Sequence, residues 1–119
     1  DAKARAKRRI DDERDQRQIA PITHNGYDYQ TRPEDRANLT AAALDASLWI
    51  QTGGDPNESA WTTWIAADNT RVAMTPSELI ALAQAVKARH TALVFEARTL
   101  KDQIDAAETI SEVESIQWS

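Results

Sequence analysis

Apolar positions recur at helical spacing through most of the chain, interrupted by two short stretches in which they alternate. Residues 1–19, DAKARAKRRIDDERDQRQI, hold helix formers with neither Gly nor Pro, and one thin stripe of Ala2, Ala6 and Ile10. DDERDQRQ (11–18) offers no apolar residue, and Glu13 with Arg17 makes an i,i+4 pair that supports a helix modestly. So polar a helix is expected to bridge to another domain or to assemble with copies of itself. Its basic start, KARAKRR, is followed at once by acids, which favours a solvated helix over a nucleic-acid or phosphate site.

The first alternating stretch is ITHNGYDYQ. Asn25-Gly26 is a strong hairpin signal, because a type I′ turn needs positive φ at both central residues. A two-residue loop pairs His24 with Tyr27, Thr23 with Asp28 and Ile22 with Tyr29. Ile22, His24, Tyr27 and Tyr29 then share one face, and Thr23 and Asp28 point away. His24 reads as a hydrogen-bonded wall residue between tyrosines. Thr31-Arg-Pro-Glu34 predicts a capping box and a helix over about 32–51. That helix carries two stripes: Ala37, Ala41, Leu44 and Leu48; and Leu39, Ala43, Ala46 and Ile50. Apolar on two sides, it is expected to be sandwiched, and Gly53-Gly54 to end it.

WTTWIAADNTRVAMT (61–75) predicts a second hairpin turning at Asp68-Asn69. Pairing Ile65 with Val72 and Thr63 with Met74 sets Trp61, Thr63, Ile65, Val72 and Met74 on one face and Trp64, Ala66 and Ala73 on the other. Trp64 becomes the expected exposed contact with a partner, the other tryptophans core anchors. Thr75-Pro-Ser-Glu78 is a second capping box with Pro at the first helical position. The helix it opens extends to about 107, some ~48 Å at 1.5 Å per residue. Leu79, Ala83, Val86, His90, Leu93, Ala97, Leu100 and Ile104 follow one another at alternating steps of four and three, a heptad pattern. A domain of this size is about 25–30 Å across, so the helix is expected to overhang it and share its ridge with other copies. Partial cover by the 32–51 helix is the competing reading. His90 on such a seam would bring copies of one histidine together near an axis, or sit half-buried beside a neighbour. Thr109-Ile-Ser-Glu112 opens a short last helix ending near Trp118.

The fold class expected is α+β: a small antiparallel sheet from two β-hairpins packed with a buried helix, a long heptad-patterned C-terminal helix, and a polar connecting helix. Residues 1–19 read as the connector, continuing a part that lies N-terminal to Asp1, and 20–119 as one domain.

Composition narrows the function. With 119 residues, 41% hydrophobic and 28% charged, the chain is globular and large enough for a modest core. A net charge of −5 argues against nucleic acid as a partner. No apolar run approaches the ~18–20 residues that span a bilayer, so membrane insertion is not expected. Without cysteine there is no disulfide or thiolate metal site. Two histidines and three glycines build neither a metal-hydrolase motif nor a phosphate cradle. DPNES (55–59) lacks the Gly-centred loop of a calcium site. No catalytic, cofactor-binding or metal residue is proposed, and an enzyme is the least expected class.

The order of signals resembles a known family. A charged helix, the NGYDYQT hairpin, the RANLTAAA helix and WIAADNTRVAMTPSELIALAQAV ahead of a long helix are similar to a small domain of unknown function. That domain recurs near the C-terminal end of bacteriophage and prophage tail proteins. The matching positions are Asn25, Gly26, Tyr29, Thr31, Asn38, Leu39, Trp64, Asp68, Asn69, Val72, Thr75, Glu78 and Leu79, within a resemblance covering about 1–116. It implies a virion or assembly role and carries over no catalytic residue. The expected function is therefore the C-terminal oligomerisation domain of a tail-fibre or baseplate protein involved in host attachment. It would be homotrimeric by analogy with fibres, in contact with other tail proteins, assembled in the bacterial cytoplasm and resident in the virion. A tail-fibre assembly chaperone and a receptor-binding module using Trp64 and the 52–60 loop are the alternatives.

Overall fold

The computed structural model describes all of residues 1–119. It is α+β, with elements in the order α1 (Ala2–Ile19), β1 (Ile22–His24), β2 (Tyr27–Tyr29), α2 (Pro33–Gln51), β3 (Thr62–Ile65), β4 (Arg71–Met74), α3 (Pro76–Ala106) and α4 (Ile110–Ser115). The strands form two separate two-stranded antiparallel sheets, β1-β2 and β3-β4. The chain divides into two compact units, Asp1–Gln18 with Arg89–Ser119, and Ile19–Ala88. The first unit thus joins α1 to residues 89–119 at the other end of the chain.

In the 19–88 unit, β1 and β2 pair in the expected register, Ile22 with Tyr29, Thr23 with Asp28 and His24 with Tyr27. Asn25 at φ 51° and Gly26 at φ 86° make the turn. Tyr29 is buried, Ile22 and His24 are half-buried, and Thr23 and Asp28 are exposed and hydrogen-bonded to each other. A backbone bond from Ala67 N–H to the Asp28 carbonyl (2.7 Å) ties the first hairpin to the turn of the second.

The second hairpin is shifted by one residue from the expected pairing. Thr62 faces Met74, Thr63 faces Ala73, Trp64 faces Val72 and Ile65 faces Arg71. Asp68-Asn69 does not make a two-residue type I′ turn, since only Asn69 takes positive φ, at 69°. The loop is instead Ala67-Asp68-Asn69, closed by Ala66 N–H on the Thr70 carbonyl and steadied by Thr70 N–H on Asp68 Oδ1. One extra loop residue turns the faces of β3 over relative to those of β4. Trp64, Ala66, Val72 and Met74 now turn toward the core, and Thr63, Ile65 and Ala73 are exposed.

Helix starts follow local chemistry with one displacement. Pro33 takes the first helical position of α2, which makes Arg32 the N-cap, and Arg32 N–H donates to Asp35. The expected Thr31–Glu34 box is therefore replaced one residue later. Thr31, buried, donates its hydroxyl to the Ala20 carbonyl (2.7 Å). At α3 the box is as expected: Thr75 N–H donates to Glu78 and Glu78 N–H to Thr75 Oγ1. At α4, Glu112 N–H donates to Thr109 Oγ1. Past α2, Gly53 N–H reaches the Ile50 carbonyl and Gly54 N–H the Trp49 carbonyl, a Schellman ending that needs the φ of 94° at Gly53.

Each unit has its own core. In 19–88, Tyr29, Leu39, Ala46, Ala66, Met74, Leu79, Leu82 and Val86 cluster, with Trp61 and Trp64 packed against them. In the other unit Ala6, Ile10, Ala97, Leu100, Ile104 and Val113 cluster, with Ile116 and Trp118 against them.

Candidate functional site

The heptad ridge of α3 is the first candidate, and the chain covers it itself. Leu79 and Val86 are buried and Ala83 half-buried in the 19–88 core. In the other unit Leu93, Ala97, Leu100 and Ile104 are buried, the last three in one cluster with Ala6 and Ile10 of α1 and Val113 of α4. Only His90 is exposed; it joins neither core, lying where α3 passes from one unit's segment to the other. Apart from His90 and the half-buried Ala83, the ridge is therefore buried within the chain itself and does not need identical neighbours to cover it.

Over Ala97, Leu100 and Ile104 the cover includes α1, which looked too polar to bury a face. Its thin stripe is sufficient because Ala6 allows close approach and Ile10 fills the remaining space at 0% exposure. Polar contacts along its edges hold it in place. Lys7 pairs with Asp105, Lys3 Nζ donates to the Asp105 carbonyl (2.8 Å), and Lys101 pairs with Asp11 at 2.8 Å. Arg9 donates to the Ile116 carbonyl, and Trp118 Nε1 donates to the Ile10 carbonyl (3.2 Å). Arg17 lies over the Trp118 ring, 4.8 Å from its centre. The KARAKRR segment is thus spent partly on fastening α1 to its own unit.

Trp64, expected as an exposed contact, is half-buried on the inner side of its hairpin, for the register reason given above. Among the tryptophans the outward one is Trp49, 36% exposed at the end of α2. Its Nε1 donates to the Asp55 carbonyl (3.1 Å), and its ring stands 6.2 Å from Trp61 at a tilt of 44°. A side chain at Gly54 would enter the Trp49 ring, since a Cβ there lies 2.3 Å from it. The 52–60 loop is thereby folded back on the helix end.

Among the hollows lined by polar groups, two stand out by the charged and aromatic side chains they bring together. One of about 410 Å³ is lined by Arg9, Asp12, Glu13, Gln16, Arg17 and Trp118 among others. The second, about 330 Å³, lies in the 19–88 unit beside His24, Tyr27, Tyr29, Arg71 and Glu78. There burial raises the Tyr29 hydroxyl above its ordinary value, with Tyr27 and Glu78 adding to the rise. His24, expected as a hydrogen-bonded wall residue, is half-buried, and its Nε2 is sealed from solvent without a hydrogen-bond partner. No group of His, Cys, Asp and Glu side chains is placed to hold a metal ion, and no helix is long and apolar enough to cross a membrane.

Exposed large apolar residues include Phe95 and Val94 on α3 and Ile65 on β3, and a continuous row of apolar residues lies on the outside of α2. Leu39 and Ala46 are buried, but Ala37, Ala41, Leu44 and Leu48 form an exposed ridge on the opposite side. Leu44 is 60% and Leu48 48% exposed. The helix was expected to be sandwiched; it is covered on one side only.

A family match extends over residues 1–117, to a domain of unknown function, DUF4376. The chain belongs to the DUF4376 family. The matched span takes in all of α1, so the helix lies within the DUF4376 domain. No curated protein and no solved structure matches the chain.

Proposed function

We propose that this DUF4376 domain is a non-enzymatic docking module of a bacteriophage tail, carried by a tail-fibre or baseplate protein and serving host attachment. The observation that carries the docking role is the α2 ridge: four apolar residues at seam spacing, outward of a core already complete beneath them. The phage setting rests on the resemblance of the NGYDYQT corner and the WIAADNTRVAMTPSEL segment to tail-associated domains of this kind. With Trp64 half-buried, a receptor-binding role has lost its aromatic contact.

Purified particles decide between a resident and a transient role. Quantitative mass spectrometry is expected to find the protein in whole-number proportion to known tail proteins. Its absence from particles, with abundance in the infected cell, would instead identify an assembly chaperone. Absence of the gene from phage and prophage tail clusters would remove the phage setting altogether.

A further inference from the structure

We propose that the outer ridge of α2 pairs with the same ridge of a second copy of this chain, the two helices running antiparallel about a twofold axis. This deepens the docking role above and rests on it only for the choice of α2 as the working face; the phage setting does not enter.

The ridge reads small, small, large, large: Ala37, Ala41, Leu44, Leu48, at steps of four, three and four. That is the spacing of a helix–helix seam. Such an order complements itself only when reversed. An antiparallel alignment centred between Ala42 and Ala43 sets Ala37 against Leu48 of the second copy and Ala41 against its Leu44. Every layer then holds one alanine and one leucine, and the helices keep a constant separation. Parallel pairing would stack alanine on alanine at one end and leucine on leucine at the other. Interaxial distance follows side-chain size over ~8–10 Å, so the parallel helices would splay.

Charge favours the same arrangement. From 37 to 51 the single ionisable side chain is Asp45. In the antiparallel alignment it stands level with Thr40 of the second copy and beside Asn38, whose amide can donate to a carboxylate. Glu34 stands level with Gln51. No like charges face each other directly across the seam, and the acidic chain meets its copy through an almost neutral strip. One helix of this length offers less than the ~800 Å² per partner of a standard interface, so the pairing is reversible and depends on concentration.

Sedimentation equilibrium of the 119-residue chain over ~1 µM to ~1 mM tests it. The mass is expected to rise from 13.3 kDa toward twice that value. The double variant Leu44→Glu/Leu48→Glu should keep the single-chain mass with an unchanged far-UV circular dichroism spectrum. A single-chain mass throughout, or a folded double variant that dimerises like its parent, overturns the proposal. Orientation is read by crosslinking, which a chain without cysteine makes clean. Ala41→Cys and Leu44→Cys variants, mixed and oxidised, should give mixed disulfides in several-fold excess over like-with-like ones; the reverse overturns the antiparallel alignment. A monomer found in particles would sink the pairing and leave the structural role standing. A dimer absent from particles would do the opposite.

Discussion

At Gly26 the chain turns with φ 86°, directly after Asn25 at φ 51°. A Cβ added at Gly26 meets no atom within 4 Å, so the cost of a side chain there is conformational and not steric crowding. Gly26→Val should lower the unfolding free energy by more than ~1 kcal/mol, since a β-branched residue resists positive φ, while Gly26→Asn should lose much less. Urea titrations of the two variants check this, and equal losses would refute it. Asp105 shows how a single charge links α1 to pH. The bond from Lys7 holds its carboxyl below the ordinary 3.8, with Lys3 and Arg98 adding through their charges. A pKa lower in the folded chain contributes stability above the unfolded value and loses it as pH falls through the folded one. Asp105→Asn should therefore be less stable than the parent at neutral pH, and the difference should close well below pH 3.8. Denaturant midpoints at the two pH values measure the gap; a gap that widens in acid would contradict the assignment. Both carboxylate and ammonium are solvent-exposed, so the effect is small.

At the scale of an element, the second hairpin shows how one loop residue decides what a ribbon presents. The same strand sequence serves either register, because TTWI and RVAM carry apolar residues on both parities. Asn69 alone in the left-handed region makes a three-residue loop, and the faces follow from it. Trp64→Ala should cost ~2–4 kcal/mol as a partly buried core aromatic, whereas Ile65→Ala on the outer face should stay within ~0.5 kcal/mol. Thermal denaturation of both variants suffices, and the opposite ranking would restore the two-residue turn. The helices were more legible. Thr75 with Glu78 and Thr109 with Glu112 mark two starts correctly, and Gly53-Gly54 marks the end of α2. The first box failed because Pro33 competes with Thr31 for the frame: proline belongs at the first helical position, which pushes the cap to Arg32.

At the scale of the molecule, two cores each gather their own residues. The 19–88 core is continuous in sequence, but the other joins Ala6 and Ile10 to residues ninety positions later. A fragment of residues 19–88 should accordingly melt cooperatively on its own. Residues 89–119 should show no cooperative transition until the 1–18 peptide is supplied. Circular dichroism melts of the fragments, alone and mixed, give the answer; a cooperative 89–119 fragment would mean that α1 is dispensable to that core.

The chain by itself determined its local events: the Asn25-Gly26 corner with its register, the positions of all four helices, and the heptad ridge of α3. These depend on backbone preference, capping and periodicity, which act over a few residues. The candidate working face was visible only as a pattern, since Ala37, Ala41, Leu44 and Leu48 read as one of two ridges awaiting cover. Which ridge is closed was settled by tertiary packing alone. Periodicity records that a face is apolar but not what lies against it, and a stripe as thin as Ala6 and Ile10 seals Ala97 to Ile104 once arginine and lysine stems and two carboxylates anchor its edges. With the apolar residues of the α3 heptad ridge covered from within, the ridge of α2 stays exposed.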